Sequence, residues 1–227
     1  MKGISDKGRK NINSTNAISR INAIKMMEVS YLSSTASLIW VALYYLPIGG
    51  AFFRLALPLP LVLLQLRRGT GAAIEGLALS VILLLVLMGP VRGPLVLFPY
   101  GMLALWLGWC WVRGFSWWLS WSIGGCIGTF GFFIRVFVLS LLVGENLWIV
   151  ITRAAYSLIE RVIQLFDLQF IPDLLHVQIV AICLVVIQEL IYVLTLHAIA
   201  FWIFPKLKAS MPDPPTFLNP LVSIEQL

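Results

Sequence analysis

Charged residues are scarce in this chain: they make up 11% of its 227 residues, whereas soluble domains carry about 25%. Hydrophobic residues account for 60% of the sequence, and the mean hydropathy is +0.94. So few polar side chains cannot cover the surface of a water-soluble globule of this length. The composition therefore excludes an ordinary soluble protein and predicts an integral membrane protein whose apolar exterior is solvated by lipid.

Signatures of catalysis and of metal binding are missing as well. The sequence contains no P-loop, no zinc-protease helix and no nucleophile elbow. His176 and His197 are isolated, and Cys110, Cys126 and Cys183 show no CxxC spacing, so we expect buried free thiols and no metal site. The net charge of +6 is not gathered into a basic patch. We therefore expect no enzymatic activity, no cofactor and no nucleic-acid partner.

Apolar runs of spanning length fill most of the sequence, and a spanning helix needs about 20 residues. Breaks between the runs coincide with Gly and Pro, which end helices. The predicted fold is an all-α polytopic membrane bundle in one domain, 29–205, between a polar N-terminal segment, 1–28, and a C-terminal tail, 206–227. The six predicted spans are 29–46, 51–66, 72–91, 95–112, 117–143 and 176–204.

Orientation follows from the distribution of positive residues, which favour cytoplasmic loops. With the basic N-terminal segment inside, Arg67, Arg68, Arg113, Lys206 and Lys208 all fall inside after even numbers of crossings. Six tryptophans also surround the loop at Arg113, as in an interfacial aromatic belt; they are Trp106, Trp109, Trp111, Trp117, Trp118 and Trp121. Both termini are therefore predicted to be cytoplasmic.

The segment 145–166 differs from the spans because Arg153, Glu160 and Arg161 interrupt its apolar positions. A mostly apolar stripe follows helical spacing through Leu147, Ile151, Ala154, Leu158, Arg161 and Leu165. We favour one amphipathic helix that lies on the outer face or lines a cavity. A seventh crossing is the alternative, and it would place the C-terminal lysines outside.

Polar side chains at membrane depth are the candidate functional residues, because a central charge costs about 2.5–3.5 kcal/mol on insertion scales and usually faces the protein interior. Glu189 lies near the middle of the last span and Arg135 in the outer half of the fifth. With Gln188 and Tyr192, they are predicted to line a substrate-binding pocket at the outer face. A buried ion pair that locks two helices is the alternative. Arg54 is either a further pocket residue or an arginine that snorkels to the interface.

Small residues form a second pattern, since they let helices approach closely. Ser33 and Ser37 lie near the start of the first span, and Gly124, Gly128 and Gly131 share one face of the fifth. Packing inside the protein is the favoured interpretation, with a partner subunit as the alternative. The glycines predict that the fifth span is central to the bundle.

Short motifs from residue 44 onward resemble a known family. They are Leu46-Pro47, Pro58-Leu59-Pro60, Leu66-Arg67-Arg68-Gly69, Gly89-Pro90 and the Pro-Asp-Pro-Pro run at 212–215. The pattern resembles uncharacterised membrane proteins of cyanobacteria and plastids, related to a bacterial group called YybS-like. That group is in turn similar to the substrate-capture (S) components of energy-coupling-factor transporters.

The resemblance implies a six-helix subunit that binds a micronutrient, such as a vitamin or a metal ion, near the outer face of a cyanobacterial plasma or thylakoid membrane. A separate transmembrane coupling subunit with two ATPases would drive uptake. S components often dock that subunit through an AxxxA pair in the first helix, and Ser33 and Ser37 are the nearest match here.

A different class of function is also open. The chain could be a structural or assembly factor of a photosynthetic membrane complex, with the tryptophan belt, the glycine-rich helix and the cytoplasmic tails as its contacts.

Overall fold

The structure, a computed structural model, describes residues 3–46, 49–165, 172–209 and 211–212, with side chains from residue 19 onward. Helices account for nearly all of this part of the chain, and it holds no strand. The helices are α1 (Gly3–Tyr45), α2 (Gly50–Ala56), α3 (Leu59–Arg68), α4 (Thr70–Arg92), α5 (Tyr100–Val112), α6 (Trp117–Val143), α7 (Leu147–Leu165) and α8 (Leu174–Ile203), with short 3-10 helices at Pro94–Leu97 and Pro205–Leu207.

Six helical segments among the described residues are long and apolar enough to cross a membrane, and α7 is not one of them. They are Ser19–Tyr45, Gly50–Arg68, Thr70–Arg92, Pro94–Val112, Trp117–Val143 and Leu174–Ile203. The predicted fold class, a polytopic bundle of about six spanning helices with one amphipathic helix, is therefore confirmed.

Proline and glycine interrupt the spans where the sequence predicts breaks. The second span divides into α2 and α3 at Pro58, which has no N–H to continue the first helix. Gly69, with φ of 84°, turns the chain from α3 into α4 within a single residue. Gly89, with φ of 86°, kinks α4 just before Pro90. These breaks leave α2 and the end of α4 as separate short segments at one end of the bundle.

The centre of the bundle differs from the prediction. The glycines of α6 do pack inward, but only 11% of the most apolar stretch of Trp117–Val143 is buried, against 61% for Pro94–Val112. The central elements are α3 and α5, which pack on each other, with α1 and α4 against α3 and with α6 against α5. A glycine face shows that one side of α6 approaches its neighbours closely, and it carries no information about the opposite side.

The N-terminal segment is helical where the structure describes it. Helix α1 runs without interruption from Gly3 to Tyr45 and includes the first segment that could cross a membrane. The polar segment predicted for residues 1–28 is therefore continuous with the first span over most of its length.

Charged side chains of α1 form ion pairs with α3 and α4 near the junction of those two helices. Glu28 of α1 accepts a hydrogen bond from Arg68 Nε at 2.6 Å, and Arg67 Nη1 lies 3.9 Å from the same carboxylate. Lys25 forms a second ion pair with Glu75 at 2.8 Å. This end of the bundle, with the cations Lys25, Arg67 and Arg68, is called the basic end below.

The residues after α8 pack against the basic end. Arg67 Nη2 donates to the carbonyl oxygen of Leu207 at 2.7 Å, and Trp117 Nε1 donates to that of Pro212 at 2.9 Å. Ala209, which lies between Leu207 and Pro212 in the sequence, is buried. The predicted tail thus begins with a segment held against the bundle, and residues 213–227 lie outside the described part.

The predicted tryptophan belt is only partly a surface feature. Trp111 and Trp117 are buried, and their rings flank His197, with centroids 5.1 and 5.2 Å from its ring. Trp118 is exposed, and Arg113 lies over Trp109 at 4.4 Å. Composition near a loop therefore did not predict which of these rings are buried.

Helix α7 packs on α6 and α8 through a face next to the predicted one. Ala155 and Ile159 contact the start of α8, whereas Leu158 and Leu165 are exposed. Both faces of α7 carry apolar residues, so an apolar stripe alone does not decide which of them meets protein.

The three cysteines were predicted to be buried free thiols. All three are free thiols, but only Cys110 is buried, whereas Cys126 and Cys183 are exposed.

We expect Gly131→Ala to destabilise the fold, because a Cβ at Gly131 would come within 2.6 Å of the Cα of Pro99. Such overpacking costs about 1–3 kcal/mol. Thermal unfolding in detergent, followed by tryptophan fluorescence, measures the loss. Gly71→Ala is the matched control, because a Cβ there meets nothing within 4 Å. Equal melting temperatures for the two variants would contradict the close contact of α6 with Pro99.

Candidate functional site

A cavity of about 590 Å³ opens among α2, α6, α7 and α8 and the first residues of α5. It lies away from the basic end, at the level where the second span is broken. Most of its lining is apolar, and its polar side chains are few. They are Arg54, Tyr100, Arg135, Gln188, Glu189, Tyr192 and Thr195.

All five residues predicted to bind substrate line this cavity. Arg54 comes from α2, Arg135 from α6, and Gln188, Glu189 and Tyr192 from α8. The structure therefore brings together residues that lie up to 138 positions apart in the sequence, since the Tyr192 hydroxyl donates a hydrogen bond to the backbone carbonyl of Arg54. Their shared location is a finding of the structure, and their role in binding remains a prediction.

Arg135 is held by aromatic residues of α1 and α5. Its Nη2 donates to the Tyr44 hydroxyl at 3.1 Å, and its Nη1 donates to the Tyr100 hydroxyl at 3.4 Å. The guanidinium carbon also lies 5.6 Å from the ring centroid of Trp40, within the range of a cation–π contact. Phenol oxygens and a ring face thus stabilise the cation at membrane depth without neutralising it.

Arg135 and Glu189 do not form the ion pair considered in the sequence analysis. The ion pairs among the described residues all lie at the basic end. Glu189 is 6% exposed, and its Oε2 has no hydrogen-bond partner in the described part of the chain. The two residues face the same space from different helices, and the tyrosines take the place beside Arg135 that a carboxylate would occupy.

Gly128 makes room for the Glu189 carboxylate. A Cβ at this position of α6 would lie 2.6 Å from Glu189 Oε2. One helical turn away, a Cβ at Gly124 would meet only apolar side-chain atoms among its nearest neighbours, the closest being Val193 Cγ1 at 3.0 Å. The glycine face of α6 therefore positions a polar group of the cavity as well as allowing the approach of α8.

Tyr192 joins α8 to α2. Its hydroxyl donates to the backbone carbonyl of Arg54 at 2.8 Å, and its ring packs edge to face with that of Tyr100, with centroids 6.1 Å apart. The bond uses the backbone carbonyl of Arg54 and leaves its side chain free of this contact, and Arg54 is exposed as a residue.

Three aromatic residues around Arg135 escaped the sequence analysis: Trp40, Tyr44 and Tyr100. Tyrosine and tryptophan at the ends of apolar runs are typical of membrane interfaces, which hides those that turn inward. Tyr44 lies four residues after Trp40, and helical spacing places both on one face. That spacing was the available signal, but without the neighbouring helices it does not indicate an arginine partner.

Ser33 and Ser37 are buried inside the bundle, at 0% and 2% exposure. Ser80 of α4 donates to the carbonyl of Ser33 at 3.1 Å, and Ser37 donates to that of Ser80 at 3.4 Å. These residues serve the contact between α1 and α4, in agreement with the favoured interpretation of packing inside the protein, and their burial does not suit the alternative of a partner interface at Ser33 and Ser37. The neighbouring Ser34 is exposed.

His197 is a structural residue of the core. Its Nε2 lies 2.7 Å from the Ser120 hydroxyl, and its Nδ1 lies 2.8 Å from the carbonyl of Val193. The two ring nitrogens thus have partners of the kind that buried polar groups require. Among the described residues, no group of three His, Cys, Asp or Glu side chains could hold a metal ion.

Residues 34–220 match the model of a family described as "Predicted membrane protein (DUF2232)". The match covers most of the chain, which therefore belongs to this family of membrane proteins. No curated protein and no solved structure matches the sequence.

We expect the double exchange Arg135→Glu with Glu189→Arg to fold no better than the worse of its two single variants. A carboxylate at position 135 would face the hydroxyls and the ring that now stabilise a cation. Because Arg135 and Glu189 do not pair, a second exchange should not compensate for the loss of folded protein caused by the first. Size-exclusion chromatography of fluorescently tagged protein measures the folded yield. Recovery of the wild-type yield by the double variant would restore the ion-pair interpretation.

Proposed function

We propose that this member of the family is the substrate-binding, S-component-like subunit of a micronutrient transporter, with the cavity as its binding site. The observation that carries the proposal is the convergence of two arginines, a glutamate and two tyrosines on one cavity in an otherwise apolar bundle. A volume of about 590 Å³ falls within the range of small-molecule sites, and such sites combine apolar walls with a few converging polar groups.

The distribution of charge supports the proposed orientation. The basic end gathers Lys25, Arg67 and Arg68, and Arg67 binds the segment after α8. The positive-inside rule favours the cytoplasm for this end. Both termini would then be cytoplasmic, and the cavity, at the other end, would open to the outer side, where a captured nutrient arrives. The resemblance suggests a cyanobacterial plasma or thylakoid membrane.

Transport would require a partner, because the sequence has no P-loop with which to use ATP. The proposed partner is a transmembrane coupling subunit that carries two ATPases. Since Ser33 and Ser37 are buried, docking through α1 would have to use its exposed face, which includes Ser34 and Leu38.

Affinity purification in a mild detergent tests this proposal. We expect the tagged chain to recover a pair of ATPases together with a second membrane protein. Ser34→Trp, on the exposed face of α1, should reduce their recovery several-fold by blocking close helix contact. Ser122→Trp is the matched control, because Ser122 is an exposed serine on α6.

Recovery of photosystem or synthase subunits, without any ATPase, would contradict the transporter and favour the assembly factor. Recovery of the ATPases by both tryptophan variants would leave the transporter in place and move the docking surface away from α1.

A further inference from the structure

We infer that the cavity binds a small amphipathic organic monoanion, whose carboxylate lies against Arg54 and Arg135 and whose apolar body lies between α7 and α8. The inference rests on the proposed function only in taking the cavity as the ligand site, and it holds with or without a coupling subunit.

The charge of the lining selects an anion. Two arginines face one glutamate among the lining residues, which leaves one positive charge in excess. A third arginine, Arg92, lies 6.0 Å from the ring centroid of Tyr44, the residue that accepts from Arg135. An uncompensated positive site in a low-dielectric surrounding attracts a negative ligand more strongly than it would in water.

Arg135 has donors left for such a ligand. A guanidinium carries five N–H donors, and two contacts to phenol hydroxyls, at 3.1 and 3.4 Å, are its hydrogen bonds among the described residues. Those tyrosines fix the plane of the group in advance, so little freedom is lost when a carboxylate binds. Planar recognition of a carboxylate through two parallel N–H bonds is the contact for which arginine is best suited.

The size and the walls of the cavity exclude an inorganic anion as its full occupant. A volume of about 590 Å³ compares with about 30 Å³ for one water molecule in the liquid. Val150 and Ile151 of α7 and Ile191 of α8 supply apolar surface next to the charged groups. A ligand that satisfies both kinds of lining has one charged end and an apolar body.

Glu189 limits the ligand to a single negative charge. The residue is 6% exposed and lines the cavity, its Oε2 accepts no hydrogen bond among the described residues, and it forms no ion pair with either arginine there. A second anionic group on the ligand would meet it with repulsion in a medium that screens poorly. In this account Arg135 attracts the ligand, whereas Glu189 rejects dianions.

Three probes of the same shape test the charge preference: 3-phenylpropionate, 3-phenylpropionamide and 3-phenylpropylamine. Calorimetric titration of the full chain in phosphatidylcholine nanodiscs should detect the acid and show weaker binding of the amide and the amine. Arg54→Gln and Arg135→Gln should each weaken the acid about tenfold or more, as expected when a hydrogen bond to a charged group is lost.

Controls separate the site from general electrostatics and from misfolding. Arg113→Gln removes an exposed arginine at the tryptophan loop and should leave the affinity for the acid unchanged. Arg54→Gln keeps the backbone carbonyl that Tyr192 binds, so it tests the charge if Arg135→Gln does not fold. Glu189→Gln should not weaken the acid, because it removes a repulsion.

Tighter binding of the amine, together with its loss in Glu189→Gln, would overturn the inference by making Glu189 the anchor of a cation. Equal binding of all three probes would overturn it as well. An anionic phospholipid could supply the same chemistry. Phosphatidylglycerol nanodiscs that lower the affinity for the acid would assign the anion to lipid, and unchanged affinity would assign it to a soluble carboxylate. None of these results depends on whether ATPases co-purify, so this inference and the transporter can fail separately.

Discussion

Lipid hydrocarbon offers no hydrogen-bond partner, so every polar group at membrane depth has to be satisfied within the bundle. The hydroxyls of Ser37 and Ser80 meet this constraint by donating to backbone carbonyls between α1 and α4, and His197 meets it through Ser120 and Val193. Arg135 meets it through two phenol oxygens. Five buried side-chain atoms have no hydrogen-bond partner in the described chain: the Ser33 hydroxyl, the Trp40 and Trp111 indole nitrogens, Gln65 Oε1 and Glu189 Oε2, the last beside Gly128. Of these five groups, Glu189 is the carboxylate, and it is the one that lines the cavity.

The same constraint explains why the two ends of the bundle differ. At the basic end, ion pairs and a carbonyl contact join α1, α3, α4 and the segment after α8, and they close that end. At the opposite end, the second span is broken at Pro58 and α4 is kinked at Gly89. Short segments replace continuous helices there, so neighbouring spans are not packed along their whole length. A cavity bordered by α2 and by the start of α5 follows from these breaks.

Much of this architecture could be predicted from the sequence, because hydropathy reports the surrounding solvent directly. The six spans, the amphipathic α7 and the five polar residues of the cavity all came from that signal. Pairings did not. Arg135 and Glu189 were close enough in depth to suggest an ion pair, but tyrosines of other helices hold the arginine. Ser33 and Ser37 suit an internal contact and a docking surface equally well, since small size alone favours both. In a membrane, an apolar side chain can face either protein or lipid. The apolar stripe of α7 and the glycines of α6 therefore did not show which neighbouring helices these faces contact.

The cavity, with its few converging polar groups, is predicted to be open to water inside a bundle that is otherwise solvated by lipid, and thiol reactivity in intact membranes measures this access most directly. In a chain whose native cysteines are replaced by alanine, Gln188→Cys would place a thiol on a residue that lines the cavity. Ile187→Cys would place one on its exposed, apolar neighbour. A charged, membrane-impermeant methanethiosulfonate should modify the thiol at 188 much faster than the one at 187. Equal rates at the two positions, or no reaction at 188, would contradict the cavity on which the site and its ligand depend.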